Sequence, residues 1–291
     1  MFMMVRTIAS VAAFMTVLST GTVEAAPYTF TKIQVPGATQ TIALGINKYG
    51  DITGYSVGST GLHGFVYEAG RSRTIDFPGA WETIPEGIND SGQIVGGVTL
   101  EPFGQAQGFF YDGATFTVLD MSEARDGVAF GVNNYGDIVG TYVDTAQHGF
   151  LFRDGEFVPV DVPVPGTFLT RAHGINDRGQ IVGEYNDMPT SSRQHGFLLS
   201  HGRYRSLDVP GAHGTSASGI NKNGEVVGFF YTETGPSTPF VYAQGKFTTL
   251  VVPGAVWAVA TGINNRGQVI GIYDDGGSVS SFLATPGLSR K

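Results

Sequence analysis

From Tyr28 onward the chain is written in short apolar runs rich in Val, Ile, Phe and Tyr, each bounded by Gly, Asn, Asp or Pro. Alternation over so few residues, punctuated by turn formers, predicts β-strands joined by tight connections, and no stretch carries a helical period. Residues 168–212 show the unit. Phe168 to Asn176 reads as a first strand, Gln180 to Tyr185 as a second, His195 to Ser200 as a third and Arg203 to Val209 as a fourth. Asp177-Arg178-Gly179 and His201-Gly202 supply turns, and Pro210-Gly211-Ala212 leads onward.

The same unit recurs along the chain. G-[IV]-N-x-x-G-x-[IV]-x-G begins at Gly45, Gly87, Gly131, Gly174, Gly219 and Gly262, with spacings of 42, 44, 43, 45 and 43 residues. Four strands in such a period is the blade length of a β-propeller. The last repeat, ending in SSFLATPG, lacks a fourth strand, whereas Tyr28 to Ala38 is a fourth strand with no preceding three. Each supplies what the other lacks, and a ring closed that way exposes no long sheet edge. The expected fold is therefore all-β: a six-bladed β-propeller with four-stranded blades, its N-terminal strand closing the last blade.

Residues 1–25 read as a signal peptide: Arg6, a short apolar run from Ile8 to Leu18, then Val23 and Ala25 before the expected cut. Residues 26–287 form the single repeat domain, followed by a short tail at 288–291. No later apolar run is long enough to span a membrane. The 43 glycines without a G-X-Y period indicate many turns, and the lack of cysteine rules out disulfides and thiolate chemistry. A net charge of −8 without any Lys/Arg run argues against nucleic acid and against anionic membrane surfaces.

The unit GIN-xx-G-x-IVG, HGF-L, DVPGA resembles the HAF-repeat family of bacterial extracellular proteins. His63-Gly64-Phe65, His148-Gly149-Phe150 and His195-Gly196-Phe197 carry the motif, while Gln107-Gly108-Phe109, Thr238-Pro239-Phe240 and Ser280-Ser281-Phe282 depart from it. The resemblance spans about residues 28–287. It implies repeat architecture and export, with no shared activity.

The repeated polar residues are expected to be structural. Asn and Gly suit tight turns. The variable positions after Asn include Lys48, Arg178 and Lys222, which no metal site would accept, so neither metal nor cofactor is expected. The motif histidines are expected to bond backbone beside a core Phe. Asp76, Asp120, Asp161 and Asp208 are expected to initiate the PGA turns.

Function should sit where the repeats differ. The rim bearing the strand-four to strand-one links and the strand-two to strand-three loops is the variable one; the rim bearing the Asn-x-x-Gly turns is uniform. On the variable rim the ligand-binding candidates are Trp81, Glu82, Arg125, His213 and Trp257, with the two tryptophans expected at corresponding positions. Near the axis, Glu86, Arg171 and His173 are candidates for an acid–base site. No GxSxG, HExxH, P-loop or dinucleotide motif is present. The expected function is a secreted, non-catalytic binding module, monomeric, holding a glycan, peptide or envelope partner. The alternatives are an extracellular hydrolase or lyase working at the central channel, and a structural surface protein.

Overall fold

A computed structural model describes residues 28–120, 126–187 and 193–287. The expected leader (1–25), Arg125 and the tail (288–291) lie outside the described residues. Twenty-four strands and no helix occur among them, so the all-β propeller reading holds. Each repeat has an inner strand, from Gln40–Ile46 in the first unit to Trp257–Ile263 in the sixth, with three antiparallel strands stepping outward. The inner strands pack against one another in a closed circle, the sixth returning to the first.

Tyr28–Ile33 pairs antiparallel with Val279–Pro286, running from Tyr28 opposite Pro286 to Ile33 opposite Ser281. The N-terminal strand is thereby the fourth strand of the last sheet. One expectation is corrected. Where six separate four-stranded sheets were predicted, four such sheets and one of eight strands are found among the described residues. The third and fourth units merge because the inner strand of the fourth starts beside the third strand of its predecessor. A single parallel bridge, Gln147 opposite Leu169, joins them, and the Gln147 amide donates to the Phe168 carbonyl at 3.4 Å.

The motif residues explain the packing. The six third-strand phenylalanines, Phe65, Phe109, Phe150, Phe197, Phe240 and Phe282, are all fully buried, each contributing about 1.5–3 kcal/mol. They fit because the second strand offers glycine. A Cβ on Gly183 would lie 1.9 Å from the Arg171 carbonyl oxygen and 2.7 Å from Phe197 Cε1. Around the axis the repeat-opening glycines bring backbones together: a Cβ on Gly131 would sit 3.2 Å from Gly174 Cα, and the same spacing recurs from Gly174 to Gly219 and from Gly219 to Gly262.

The Asn of each Asn-x-x-Gly turn does more than tolerate a turn. Its Oδ1 accepts the N–H groups two and four residues on, as in Asn133 with Tyr135 and Asp137, both at 3.0 Å. Its Nδ2 donates to the backbone carbonyl of the same Asn in the next unit. The relay runs Asn47, Asn89, Asn133, Asn176, Asn221, Asn264 and back to Asn47, at 2.9–3.3 Å. Only an amide supplies donor and acceptor together in this geometry. The positive φ falls on the Gly instead, for example Gly136 at 84°.

Candidate functional site

One position, just before each inner strand, holds two of the expected ligand residues. Counting back from the motif glycine places Thr39, Trp81, Phe168, His213 and Val256 in equivalent places, and Arg125 has the same count in the sequence. Four are anchored identically: the amides of Thr39, Trp81, His213 and Val256 donate to the second-strand carbonyls of Val57, Thr99, Tyr231 and Asp274. Water reaches 56% of Trp81, 45% of Phe168 and 60% of Val256. The His213 ring leans on Tyr231, with centroids 5.9 Å apart.

Glu82 and Trp257 sit one residue further on, opposite Thr99 and Asp274, and both are half-buried. The two tryptophans therefore do not correspond, contrary to expectation. A one-residue offset in a strand turns a side chain to the other face, so Trp81 is presented to solvent while Trp257 is drawn in.

Beside Trp81 the loop after Ile94–Thr99 adds Leu100 and Phe103, both exposed. The Gly104 amide donates to the Glu101 carbonyl at 3.0 Å, closing a turn with Pro102 and Phe103 at its centre. Phe103 has φ 62°, a position that normally goes to Gly in such a turn and that costs a bulky residue on the order of 1 kcal/mol.

Deeper along the axis every inner strand carries a β-bulge at one place. The pairing register skips Leu44, Glu86, Phe130, His173, Ser218 and Thr261. A bulge re-aims the skipped side chain, and three of these reach neighbouring units. The Phe130 and His173 rings meet at 5.0 Å, and the Thr261 hydroxyl donates to the Ala43 carbonyl at 2.9 Å. Desolvation pushes the Glu86 carboxyl up to about 8.

Arg171 and His173 share the inner strand of the fourth unit, whereas Glu86 stands on that of the second, two units away. Arg171 and His173 flank Glu184, which the sequence reading missed. Arg171 Nη1 donates to Glu184 Oε1 at 2.9 Å, Gln194 donates to Oε2, and His173 Nε2 lies 3.6 Å from Oε2. Arg171 Nη2 also reaches Gln147 of the third unit at 3.0 Å. Arg171 and Glu184 face each other across adjacent strands. The same cross-strand pair is Ile42–Tyr55, Ile84–Gly97, Val128–Thr141, Ser216–Phe229 and Val259–Ile272 elsewhere. Comparing repeats at that one position is the signal that would have exposed Glu184. Arg171 and Gln194 hold the Glu184 carboxyl in place within the fourth unit.

Two expectations about the motif are revised together. The HGF histidines and the Asp residues before PGA bond one another: His63 with Asp76 at 2.7 Å, His148 with Asp161 at 2.8 Å and His195 with Asp208 at 2.9 Å. The other carboxylate oxygen of Asp76 and of Asp208 accepts the amide of the motif Gly. They clip the fourth strand to the third rather than starting turns.

No family model and no curated protein matches the chain. Among solved structures it is similar in fold to TolB from Acinetobacter baumannii (TM-score 0.54, 12% identity, 72% of this chain). This chain spans only 53% of TolB. It is also similar to the SapL1 lectin in complex with alpha methyl fucoside (0.53, 10%, 89% of this chain and 99% of that one). A third likeness is the β-propeller domain of the Trilobed protease from Pyrococcus furiosus, described as having an open velcro topology (0.50, 9%, 87% and 94%). Identities this low establish the β-propeller fold alone.

Proposed function

We propose that this chain is an exported HAF-repeat protein and a six-bladed β-propeller, counting the eight-stranded sheet as two blades. It acts as a non-catalytic binding module for a glycan, peptide or envelope partner. The closed relay of six asparagines supports the blade count. The observation that carries the function is the set of equivalent rim positions where Trp81, Phe168 and Val256 stand in water, with the forced Phe103 exposed in the loop of the Trp81 unit. Side chains this exposed add little to the stability of a scaffold whose cores lie between the blades, and exposed aromatics on a variable rim mark an interaction surface. The SapL1 lectin, with the same kind of fold, is seen with a fucoside, which makes a saccharide one natural class of ligand.

The test is a glycan and polysaccharide array with the purified chain, its Trp81→Ala variant and its Phe168→Ala variant. Binding that falls in either variant while the unfolding midpoint stays put supports the rim. A full array of normal signals in both variants refutes it. A second reading, a hydrolase or lyase at the channel, is favoured by Glu86, a carboxylic acid that holds its proton near neutral pH. Turnover of arrayed glycans would favour it over binding.

A further inference from the structure

On the opposite rim, expected to be uniform, the third and fourth units part to leave an open cleft of about 650 Å³, within the range of small-ligand sites. Its origin is a local change in the repeat. Two residues past the motif Phe the units carry Tyr67, Tyr111, Phe152, Leu199, Tyr242 and Ala284. Leu199 replaces an aromatic where the cleft opens, and Leu151, Ile181 and Leu199 form an apolar floor.

The polar walls are specific to these two units. Three residues past the motif Phe stands Arg153, where the other units have Glu68, Asp112, Ser200, Ala243 and Thr285. Arg153 Nε and Nη2 donate to Asp137 Oδ1 and Oδ2, both at 2.7 Å. This two-point pairing fixes the plane of the guanidinium, and its remaining N–H groups are left for a ligand on a side chain that is still partly exposed. Arg178 of the fourth unit lines the cleft with Arg153, and Asp154 and His201 stand at the tips of two hairpin turns, one from each unit. Two of the three carboxylates are engaged internally. Asp137 binds Arg153 and Asn133, and Asp177 accepts the Asn134 amide and side chain at 2.9 and 2.8 Å.

An aromatic platform completes the set. Tyr135 lines the cleft and is 77% exposed. The equivalent Tyr49 carries a cation on its ring, Lys48 Nζ lying 4.7 Å from the centroid, whereas Tyr135 follows Asn134, which turns to Asp90 and Asp177 instead. Its face is left for another partner. A flat apolar ring face, oriented donors, an acceptor at Asp154 and nearly balanced charge suit a molecule with an apolar ring face and hydroxyls around its edge.

We infer that the cleft between the third and fourth units is a binding site for a neutral saccharide unit. It is separate from the aromatic rim and does not depend on it. The pyranose face would lie on Tyr135, with its hydroxyls bonded to Arg153, Arg178 and Asp154.

The test is calorimetric titration of the full chain with the methyl glycosides of glucose, galactose, mannose, fucose and glucuronic acid. A neutral glycoside should bind, and Tyr135→Ala and Arg153→Gln should each weaken it roughly tenfold, with Tyr49→Ala, the equivalent exposed ring outside the cleft, leaving it unchanged. Tyr135→Ala removes an exposed ring and so separates loss of binding from loss of fold. Absence of binding by any neutral glycoside overturns the inference, as does unchanged affinity in both cleft variants. Binding of glucuronide alone overturns it in favour of an acidic ligand. Loss in Trp81→Ala with the cleft variants unaffected overturns it while supporting the rim.

Discussion

The Arg171–Glu184 pair is the sharpest test of how this scaffold tolerates departures from its repeat. Glu184 is 2% exposed, and Arg171 is mostly buried. Replacing Arg171 by Val, the residue of the sixth unit, withdraws the cation 2.9 Å from that carboxylate and the donor held by Gln147 at 3.0 Å. Breaking one side of a buried pair typically costs about 3–5 kcal/mol. The double variant Arg171→Val plus Glu184→Ile rebuilds the Val259–Ile272 pair of the sixth unit, and replacement of a buried pair by apolar residues is often neutral or better. Its stability should therefore lie within about 1 kcal/mol of the parent, giving a coupling energy of at least about 3 kcal/mol, since each single variant leaves a buried charge unpaired. In urea the single variant should lose about 1–2 M of midpoint and the double variant should regain it. If the double variant is as destabilised as the sum of the singles, or if Arg171→Val costs less than about 1 kcal/mol, the pair is not a self-contained insertion in an apolar site.

Two further outcomes follow from the geometry. Glu86, with its folded carboxyl near 8, holds a proton that the unfolded chain releases above about 4.5. Stability should therefore fall by up to about 1.4 kcal/mol per pH unit between those values, relative to Glu86→Gln followed over pH 5–9; parallel curves would contradict the burial. Gly183→Ala should cost about 3 kcal/mol or more, because its Cβ would meet backbone and the Phe197 ring. Gly202→Ala, with open space but φ 72°, should cost only about 1–2 kcal/mol; thermal unfolding of the two variants decides, and equal losses would refute the close-packing reading.

The repeat was legible because each motif residue answers a local demand. Glycine meets a backbone or a Phe ring, Phe fills the space glycine leaves, and apolar alternation marks strands. The pairing of Tyr28–Ile33 with Val279–Pro286 was legible too, since a missing strand and a spare one leave a single way to complete the sheet. The partners of polar groups were not. His148 on the third strand and Asp161 just past the end of the fourth lie 13 residues apart, and nothing local in either says that they meet.

Sequence by itself determined the number and length of the repeats, the strand content and the identity of the core. Those depend on periodicity and turn chemistry, which are local. Tertiary structure alone decided the face to which each variable side chain turned. It set Trp81 outward and Trp257 inward by a one-residue offset. It gathered Arg171, His173 and Glu184 around one buried carboxylate, and it opened a cleft beside Arg153 by placing Leu199 where its neighbours carry rings. These outcomes depend on register between strands and on contacts between units some 43 residues apart, distances over which a linear pattern carries no information about direction.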